Sequence, residues 1–191
     1  MTIVAASDAR SRAARRKAET RDRLLRAAAA VFGEVGVDGA TIAAITERAD
    51  VGLGTFYLHF DDKEACAAAV ADDLVARIAA ASDAAGTDLH AATRAVCAVA
   101  ADEAALLHAL YRWHGSARSG GLRAAFVERI ARAMRAGIKA GVLRREDATL
   151  AAHAVLGLYA ETILYWASSG RTDWDALAEF LERTTAAAFS A

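Results

Sequence analysis

The chain of 191 residues contains no proline, and this absence constrains its fold more than any other feature. Proline interrupts helices at a cost of about 3 kcal/mol in a helix interior, so long helices can form here without a break. Apolar residues make up 55% of the chain and many are alanine, whereas the Val, Ile and Thr alternation typical of strands is missing. The sequence therefore predicts an all-α fold, as one domain or as a small module plus a larger one.

The N-terminal region is strongly basic, although the net charge of the chain is only −1. Between positions 10 and 26 lie eight basic and two acidic residues, a local charge of +6 on a chain whose remainder is near −7. Cationic side chains bind nucleic acids by neutralising phosphates and releasing counterions. We predict that residues 1–19 form a basic, flexible arm that binds phosphates; the alternative is a solvated tail that only aids solubility.

Glycines and N-cap residues divide the chain into helices. Apolar residues at helical spacing predict a first helix that stops at Gly36, and Thr41 is the predicted N-cap of a short second helix. Asp50 tolerates the left-handed backbone of a tight turn, after which a third helix is predicted over residues 53–60. Six further helices are predicted near residues 62–82, 88–103, 105–115, 120–139, 147–168 and 173–189.

The two short helices after a longer amphipathic helix predict a helix-turn-helix, whose second short helix can enter the major groove of DNA. Phe56 and Phe60 lie four residues apart and share the buried face of this second short helix. Asp62 is the predicted N-cap of the next helix, so that its positive end and Lys63 face an anion lying across the preceding helix. The residues left pointing outward are Leu53, Thr55, Leu58 and His59.

Residues 21–66 closely resemble the DNA-binding domain of the TetR family of bacterial transcriptional regulators. The resemblance runs without a gap through the turn at 49–51 and through Ala28, Phe32, Gly36, Thr41, Ile45, Gly54, Thr55, Tyr57, His59, Phe60, Lys63 and Glu64. It implies a DNA-binding domain at residues 20–66, followed by a ligand-binding and dimerisation domain at residues 67–191. It also implies that one set of residues contacts phosphates, namely Thr41, Tyr57 and Lys63, and that a second set faces bases or sugars, namely Leu53, Gly54, Thr55 and His59.

Four positions depart from the family pattern, and one of them is Ala43, which offers only a methyl group where some members carry a base-reading side chain. Asp50 stands where the family usually has Gly, and Gly52 stands where it has Ser or Thr, so one phosphate-contacting hydroxyl is missing. Leu53 replaces a residue that is often Lys, Arg or Gln. We therefore expect Leu53, Leu58 and the methyl group of Thr55 to pack on thymine methyl groups.

The helix near residues 147–168 is apolar on almost every side and so requires cover on every side. We expect one face to meet the core and another to meet a second subunit, together with the last helix, in a two-fold homodimer; the alternative is the core helix of a monomer. A two-fold dimer matches a palindromic operator in double-stranded DNA. The predicted interface residues are His153, Leu156, Gly157, Ala160, Leu164, Trp174, Leu177 and Leu181.

An unidentified small-molecule effector is a further expected partner, in a pocket with apolar walls and a few polar groups. Glu161 lies within an apolar helix, so it orients a cationic or hydroxylated ligand or pairs with an Arg or Tyr across the dimer. In the alternative interpretation the aromatic residues are plain core. The candidate ligand-binding residues are Tyr111, Trp113, His114, Phe126, Met134, Tyr159, Glu161 and Trp166.

The sequence lacks the motifs of common enzymes and metal sites. It has no Gly-rich phosphate loop, HExxH, CxxC or nucleophile elbow, and its five histidines lack ligand spacing. We therefore predict no enzymatic activity, no metal and no cofactor. A redox switch would require Cys66 and Cys97 to lie close together with one thiol ionised.

The predicted function is a dimeric repressor that a small-molecule ligand releases from its operator. The alternative is an architectural DNA-binding protein that senses nothing. The first thirty residues contain no hydrophobic signal core, and no 18-residue apolar run is found, so we expect a cytoplasmic protein without a membrane partner.

Overall fold

The computed structural model describes residues 2–85, 88–113 and 120–191, and within these the side chains of residues 12–85, 88–113, 124 and 126–191. These described residues form nine helices and no strand, which confirms the predicted all-α fold. The helices are α1 (Thr2–Gly39), α2 (Ile42–Arg48), α3 (Leu53–Tyr57), α4 (Lys63–Ala84), α5 (Leu89–Asp102), α6 (Ala104–Arg112), α7 (Gly120–Lys139), α8 (Ala148–Ser168) and α9 (Trp174–Phe189).

Helix α1 differs most from the sequence prediction. It begins at Thr2, so the segment predicted as a flexible arm, residues 1–19, is helical throughout its described part. The physical reason is composition, because residues 1–32 contain neither Gly nor Pro and are rich in Ala and Arg. The helical backbone breaks at Gly36, where the first helix was predicted to stop, with φ 76° and ψ 166°, and a short helical segment follows to Gly39.

A first hydrophobic core joins α1, α2, α3, α4 and α6. Phe32 of α1 and Phe56 of α3 are fully buried, and Leu74 of α4 and Leu106 of α6 belong to the same cluster. Helix α1 approaches α6 closely at Gly33, where an added Cβ would lie 3.6 Å from the Cβ of Ala105. The core of the helix-turn-helix therefore continues beyond residue 66 into α4 and α6.

Two smaller cores hold the remaining helices together. One contains residues of α5, α8 and α9, including Cys97, Ile163 and Leu181, and the other contains Val127 of α7 and Ala152 of α8. Helix α8 contributes to both cores. It is thus the central element of the C-terminal part of the chain.

The two cysteines lie apart, in different cores. Cys66 belongs to the first core and Cys97 to the core of α5, α8 and α9. Burial raises the pKa of the Cys66 thiol to about 12 and that of the Cys97 thiol to about 11. Neither condition for a redox switch is met, because the thiols are protonated at neutral pH and packed in separate clusters.

Asp50 provides a test of the turn between α2 and α3. In the described ranges it is the one residue other than glycine with a positive φ, 53°. Asp tolerates this region and a β-branched residue does not, so Asp50→Val should lower the free energy of unfolding by about 1–2 kcal/mol. Asp50→Gly should leave it within a few tenths of a kcal/mol, since Gly relieves backbone strain but adds unfolded-state entropy.

Urea unfolding followed by circular dichroism measures these changes. Asp61→Val is the matched control, because Asp61 is exposed and its φ is not positive. The control should change the free energy of unfolding by no more than about 0.5 kcal/mol. Equal losses at both positions would contradict the strain at Asp50.

Candidate nucleic-acid interface

The outward face of α3 is unusually apolar and accessible. Leu53 is 53% exposed, Tyr57 54% and Leu58 73%. A Cβ added at Gly52 or Gly54 would meet no atom within 4 Å, so the approach to this face is open. A contiguous exposed apolar surface on a soluble protein marks an interaction site.

Buried aromatic rings and a surface ion pair hold α2 and α3 in place. Phe56 is fully buried, and its ring centroid lies 5.6 Å from that of Tyr57 in an edge-to-face arrangement. Arg48 of α2 donates two hydrogen bonds to the Glu34 carboxylate of α1, at 2.6 and 2.9 Å. These bonds lower the pKa of Glu34. The orientation of α3 is therefore fixed from its buried side, which leaves its other side for a partner.

Thr41 combines a structural role with a free donor. Its Oγ1 accepts a hydrogen bond from the backbone N–H of Ala44 at 3.1 Å and so caps α2. A hydroxyl that accepts this bond still has its own proton to donate. Because Thr41 is exposed, that proton can reach a phosphate oxygen at the start of α2.

Lys63 is more constrained than the sequence indicates. Its Nζ donates to the backbone carbonyls of Asp38 at 3.3 Å and Ala40 at 3.1 Å, where α1 ends. An ammonium group has three protons, so one remains for an anion. Lys63 therefore ties the start of α4 to the end of α1 and can also contact a phosphate there.

His59 lies at the end of the α3 segment, against α1. Its Nδ1 is buried and has no hydrogen-bond partner among the described residues. The Arg21 guanidinium of α1 lies 5.1 Å from the ring centroid of the neighbouring Phe60. Desolvation, together with the charges of Lys17 and Arg21, lowers the pKa of His59.

The proximity of α1 cations to His59 was missed by sequence reasoning, which assigned Lys17 to a flexible arm. A signal was present: Lys17 and Arg21 lie four residues apart on the helix face that continues through Leu24 and Ala28 into the core. Reading α1 as continuous would have placed these charges beside the recognition helix.

Sequence comparison agrees with this geometry. Residues 24–70 match the sequence profile of the tetR family of bacterial regulatory proteins. Over 54 residues the chain is 41% identical to YvdT, an uncharacterized HTH-type transcriptional regulator of Bacillus subtilis strain 168. That match spans 28% of this chain and 28% of YvdT, so most of each chain lies outside it.

Solved structures match over most of the chain. The fatty acid degradation regulator FadR from Bacillus halodurans has a TM-score of 0.73 and 19% identity, covering 86% of this chain and 93% of FadR. The TetR family regulator PfmR from Thermus thermophilus has a TM-score of 0.63 and 19% identity, covering 84% of this chain and 97% of PfmR. At this identity the likeness shows the fold, and it extends to the C-terminal helices. Residues 24–70 thus form a DNA-binding domain of the tetR family, and the chain as a whole shares its fold with these regulators.

The C-terminal helices distribute the predicted ligand-binding residues over separate places. Tyr111 is exposed on α6 and Met134 is buried on α7, where Phe126 is half-buried. His114 lies outside the described residues. Trp113 packs against the first core, whereas Tyr159 and Trp166 pack against the core of α5, α8 and α9.

Tyr159 and Glu161 differ in their surroundings. The hydroxyl of Tyr159 lies 2.6 Å from Oγ1 of the buried Thr93, and burial raises the pKa of Tyr159. Glu161 was expected to be enclosed in an apolar helix but is exposed to solvent on α8. The pocket role of Glu161 is therefore not supported, because its side of α8 is uncovered within one chain; pairing across a dimer stays a prediction.

A groove of about 760 Å³ lies elsewhere, between the two modules of the TetR-family fold. Residues of α1, α4 and the α5–α6 corner line it, and none of the predicted ligand-binding residues is among them. Arg77 crosses part of this region, with hydrogen bonds to Asp73 at 3.1 Å and Glu103 at 2.6 Å. The groove is therefore open and charged, unlike the aromatic pocket that the sequence predicted.

The predicted dimer surface needs correction on α9. Leu177 is 1% exposed and Leu181 0%, so neither side chain can contact a second copy. Both pack within one chain against α5 and α8, because α9 turns its apolar side inward. Leu156 of α8 likewise packs against the core that α7 and α8 share.

The other predicted dimer residues retain some exposure. His153 is exposed, whereas the others are half-buried, namely Gly157, Ala160, Leu164 and Trp174. The structure adds apolar residues that sequence reasoning did not name: Leu150 is 70% and Tyr165 60% exposed on α8, and Phe180 is exposed on α9. The accessible surface is thus shifted from that predicted, while still involving both helices.

Lys63→Ala tests the double role of this lysine at the candidate nucleic-acid interface. It should weaken DNA binding at every sequence and lower the slope of log affinity against log salt by about 1. The variant should also melt at a lower temperature, because two carbonyls at the end of α1 lose their donor. Fluorescence anisotropy over a salt series and thermal unfolding measure the two effects.

Lys139→Ala is the matched control, since Lys139 is exposed at the end of α7 and its loss removes the same charge. It should leave the salt slope unchanged. If Lys63→Ala also left the slope unchanged while lowering the melting temperature, Lys63 would have only the structural role.

Proposed function

We propose that the chain is a dimeric transcriptional repressor that binds a palindromic operator and releases it when a small-molecule effector binds. The main support for this proposal is the exposed apolar face of α3. Leu53, Tyr57 and Leu58 point outward there because Phe56 is buried on the opposite side. Thr41 at the start of α2 and Lys63 at the start of α4 lie on either side of it in the chain. Each has a hydrogen-bond donor that can contact a phosphate. This combination fits a helix that enters the major groove between two phosphate contacts.

Recognition of bases on this face is mainly apolar. Leu53 and Leu58 carry no hydrogen-bonding side-chain group, and Thr55 is half-buried. The thymine methyl group is the apolar feature of the major groove, so we propose half-sites whose specificity depends on thymines. Phosphate contacts supply affinity without discriminating among sequences.

A second copy of the chain is the proposed cover for α8. The most apolar 18-residue part of this helix has a mean hydropathy of 1.2, long and apolar enough to cross a membrane, yet only 22% of it is buried. Leu150 and Tyr165 on α8 and Phe180 on α9 remain exposed. Two-fold pairing of these helices would bury them and place two α3 helices on one palindrome. A dimer of this kind acts in the cytoplasm, where its operator lies.

Effector release requires that the ligand prefer one separation of the two recognition helices, since equal affinity for both states shifts nothing. DNA requires a separation of about 34–36 Å. Helix α4 links the two modules, because it starts at Lys63 and ends at Ala84. Ion pairs attach it to the C-terminal helices, one from Arg77 to Glu103 and one from Asp83 to Arg129.

An architectural DNA-binding protein without an effector is the second candidate function. It is favoured by one observation, namely that the predicted ligand-binding aromatics lie in separate cores rather than around one cavity. Footprinting of an operator with and without a library of small molecules separates the two candidates. Protection that some compound abolishes supports the repressor; protection that no compound changes supports the architectural protein.

Substitutions on α3 test operator binding. Operators are first selected from random duplexes with the intact protein. Tyr57→Phe should then weaken binding to all duplexes by a similar factor of about three to ten, because a phosphate contact of about 1 kcal/mol is lost without loss of specificity. Leu58→Ala should instead reduce discrimination between thymine and other bases at one position.

Tyr111→Phe is the matched control, since Tyr111 is exposed on α6. It removes an equivalent hydroxyl and should leave the affinity unchanged. The assignment of α3 as the recognition helix fails if both α3 variants select and bind the same duplexes as the intact protein.

Tyr165→Asp tests the dimer. A charge at an exposed apolar position of α8 leaves the single chain folded but opposes burial against a second copy. Sedimentation equilibrium should show a monomer, and operator affinity should fall at least tenfold because two half-sites are no longer linked. Tyr111→Asp should remain dimeric, and a dimeric Tyr165→Asp protein would place the interface elsewhere.

A further inference from the structure

We propose that Lys17 and Arg21 of α1 form an anion site with His59, and that this site binds a DNA backbone phosphate outside the recognition helix with uptake of a proton by His59. This inference rests on the proposed function, because it assigns the site to the same DNA-bound state. It goes further by adding α1 as a DNA-contacting element and by making binding depend on pH.

The first observation is position. Helix α1 is continuous from Thr2 to Gly36, so Lys17 and Arg21 are held in fixed positions relative to the helix-turn-helix. The Arg21 guanidinium lies 5.1 Å from the ring centroid of Phe60, and the Phe60 ring centroid lies 6.4 Å from that of His59. Arg21 thus approaches His59 across the intervening ring of Phe60, and Lys17 lies one helical turn before Arg21 on the same face of α1.

The second observation is the lack of a carboxylate partner. Within the described side chains, neither Lys17 nor Arg21 forms an ion pair, and the neighbouring Glu19 is bound by Arg15 at 2.7 Å. On the following turn, Asp62 accepts a hydrogen bond from the backbone of Ala65. Two cations beside one imidazole therefore lack a compensating anion, and a phosphate would supply it.

The third observation is the state of His59. Its Nδ1 is buried without a partner, so any contact with an anion is made by Nε2. Desolvation and the cations Lys17 and Arg21 lower the pKa of His59, which favours the neutral imidazole in the free protein. A phosphate reverses the effect of the two cations and favours the imidazolium.

Protonation of His59 makes operator affinity depend on pH. The complex binds more protons at His59 than the free protein, so affinity rises as pH falls from about 8 to about 6. A free phosphate ion has the same chemistry as a backbone phosphate. We assign the site to DNA because His59 immediately follows the exposed recognition surface of Leu53, Tyr57 and Leu58.

The salt dependence of operator binding tests the contact. The double variant Lys17→Ala, Arg21→Ala should lower the slope of log affinity against log salt by about 2, and Lys17→Ala alone by about 1. The single variant guards against a folding effect, since Arg21 lies against Phe60 and Lys17 has no such ring contact. The matched control is Lys139→Ala, Arg145→Ala, two exposed positions of α7 and the α7–α8 connection.

The control should keep the slope of the intact protein. Equal slopes for the control, the single variant and the double variant, with tight operator binding retained, overturn this inference and leave the proposed function standing. Absence of any sequence-selective DNA binding by the intact protein overturns both.

Titration of the His59 ring protons by NMR tests the proton. The pKa of His59 should be below 6.5 in the free protein, unchanged by 10 mM inorganic phosphate and raised by at least one unit by the operator duplex, where a unit corresponds to a tenfold change in proton affinity. An equal rise with inorganic phosphate would reassign the site to the free ion. His59→Asn should remove the rise in operator affinity between pH 8 and pH 6, and His90→Asn should keep it.

Discussion

The DNA-binding surface depends on the burial of two aromatic rings four residues apart. Phe56 and Phe60 have ring centroids 5.5 Å apart and belong to the core that contains Phe32. Helix α3 has five residues, far fewer than the roughly 12–15 that an isolated helix needs in water. Burying one Phe contributes about 1.5–3 kcal/mol, so these rings rather than helix propensity hold α3 in place. Because all anchoring is on one side, the other side is free for DNA.

The same core determines which parts of the molecule can move. It continues through Leu74 of α4 to Leu106 of α6, and Gly33 allows α1 to contact α6 closely. The ion pairs of Arg77 lie near the surface, where such pairs contribute about 0–1 kcal/mol, whereas a buried leucine replaced by alanine costs about 2–5 kcal/mol. The apolar contact is therefore dominant, and the recognition helix moves together with α4 and α6. In the proposed repressor, an effector that changes the separation of the two recognition helices would act between this unit and the helices α7, α8 and α9.

The sequence predicted the helix-turn-helix well because its determinants are local. Thr41 caps α2, Asp50 adopts the left-handed turn and Asp62 caps α4, and each function requires only neighbours along the chain. Helix positions in the C-terminal part also agreed with the predicted ranges to within three residues at each end. Local chemistry of caps, turns and glycines is sufficient for these features.

Tertiary orientation could not be predicted in the same way. The apolar face of α9 indicates that Leu177 and Leu181 are buried against another element. The sequence does not distinguish burial against α5, which the structure shows, from burial against a second subunit. The prediction that Glu161 is enclosed was wrong for a related reason. Helix α8 is apolar on almost every side, so its sequence does not indicate which side is exposed to solvent. The choice between these covers depends on contacts between distant segments, which periodicity does not contain.

The helical state of the basic N-terminal segment changes the energetics of DNA binding. A flexible arm that becomes ordered on DNA loses about 1–2 kcal/mol per residue of backbone entropy, which several phosphate contacts would be needed to offset. In α1 the folded core already supplies the helix nucleus at Leu24 and Ala28, and elongation through Ala- and Arg-rich sequence toward Lys17 is close to neutral in free energy. Lys17 and Arg21 are consequently positioned before DNA arrives. If they bind a phosphate as proposed, their electrostatic gain is retained as affinity rather than consumed by ordering the chain.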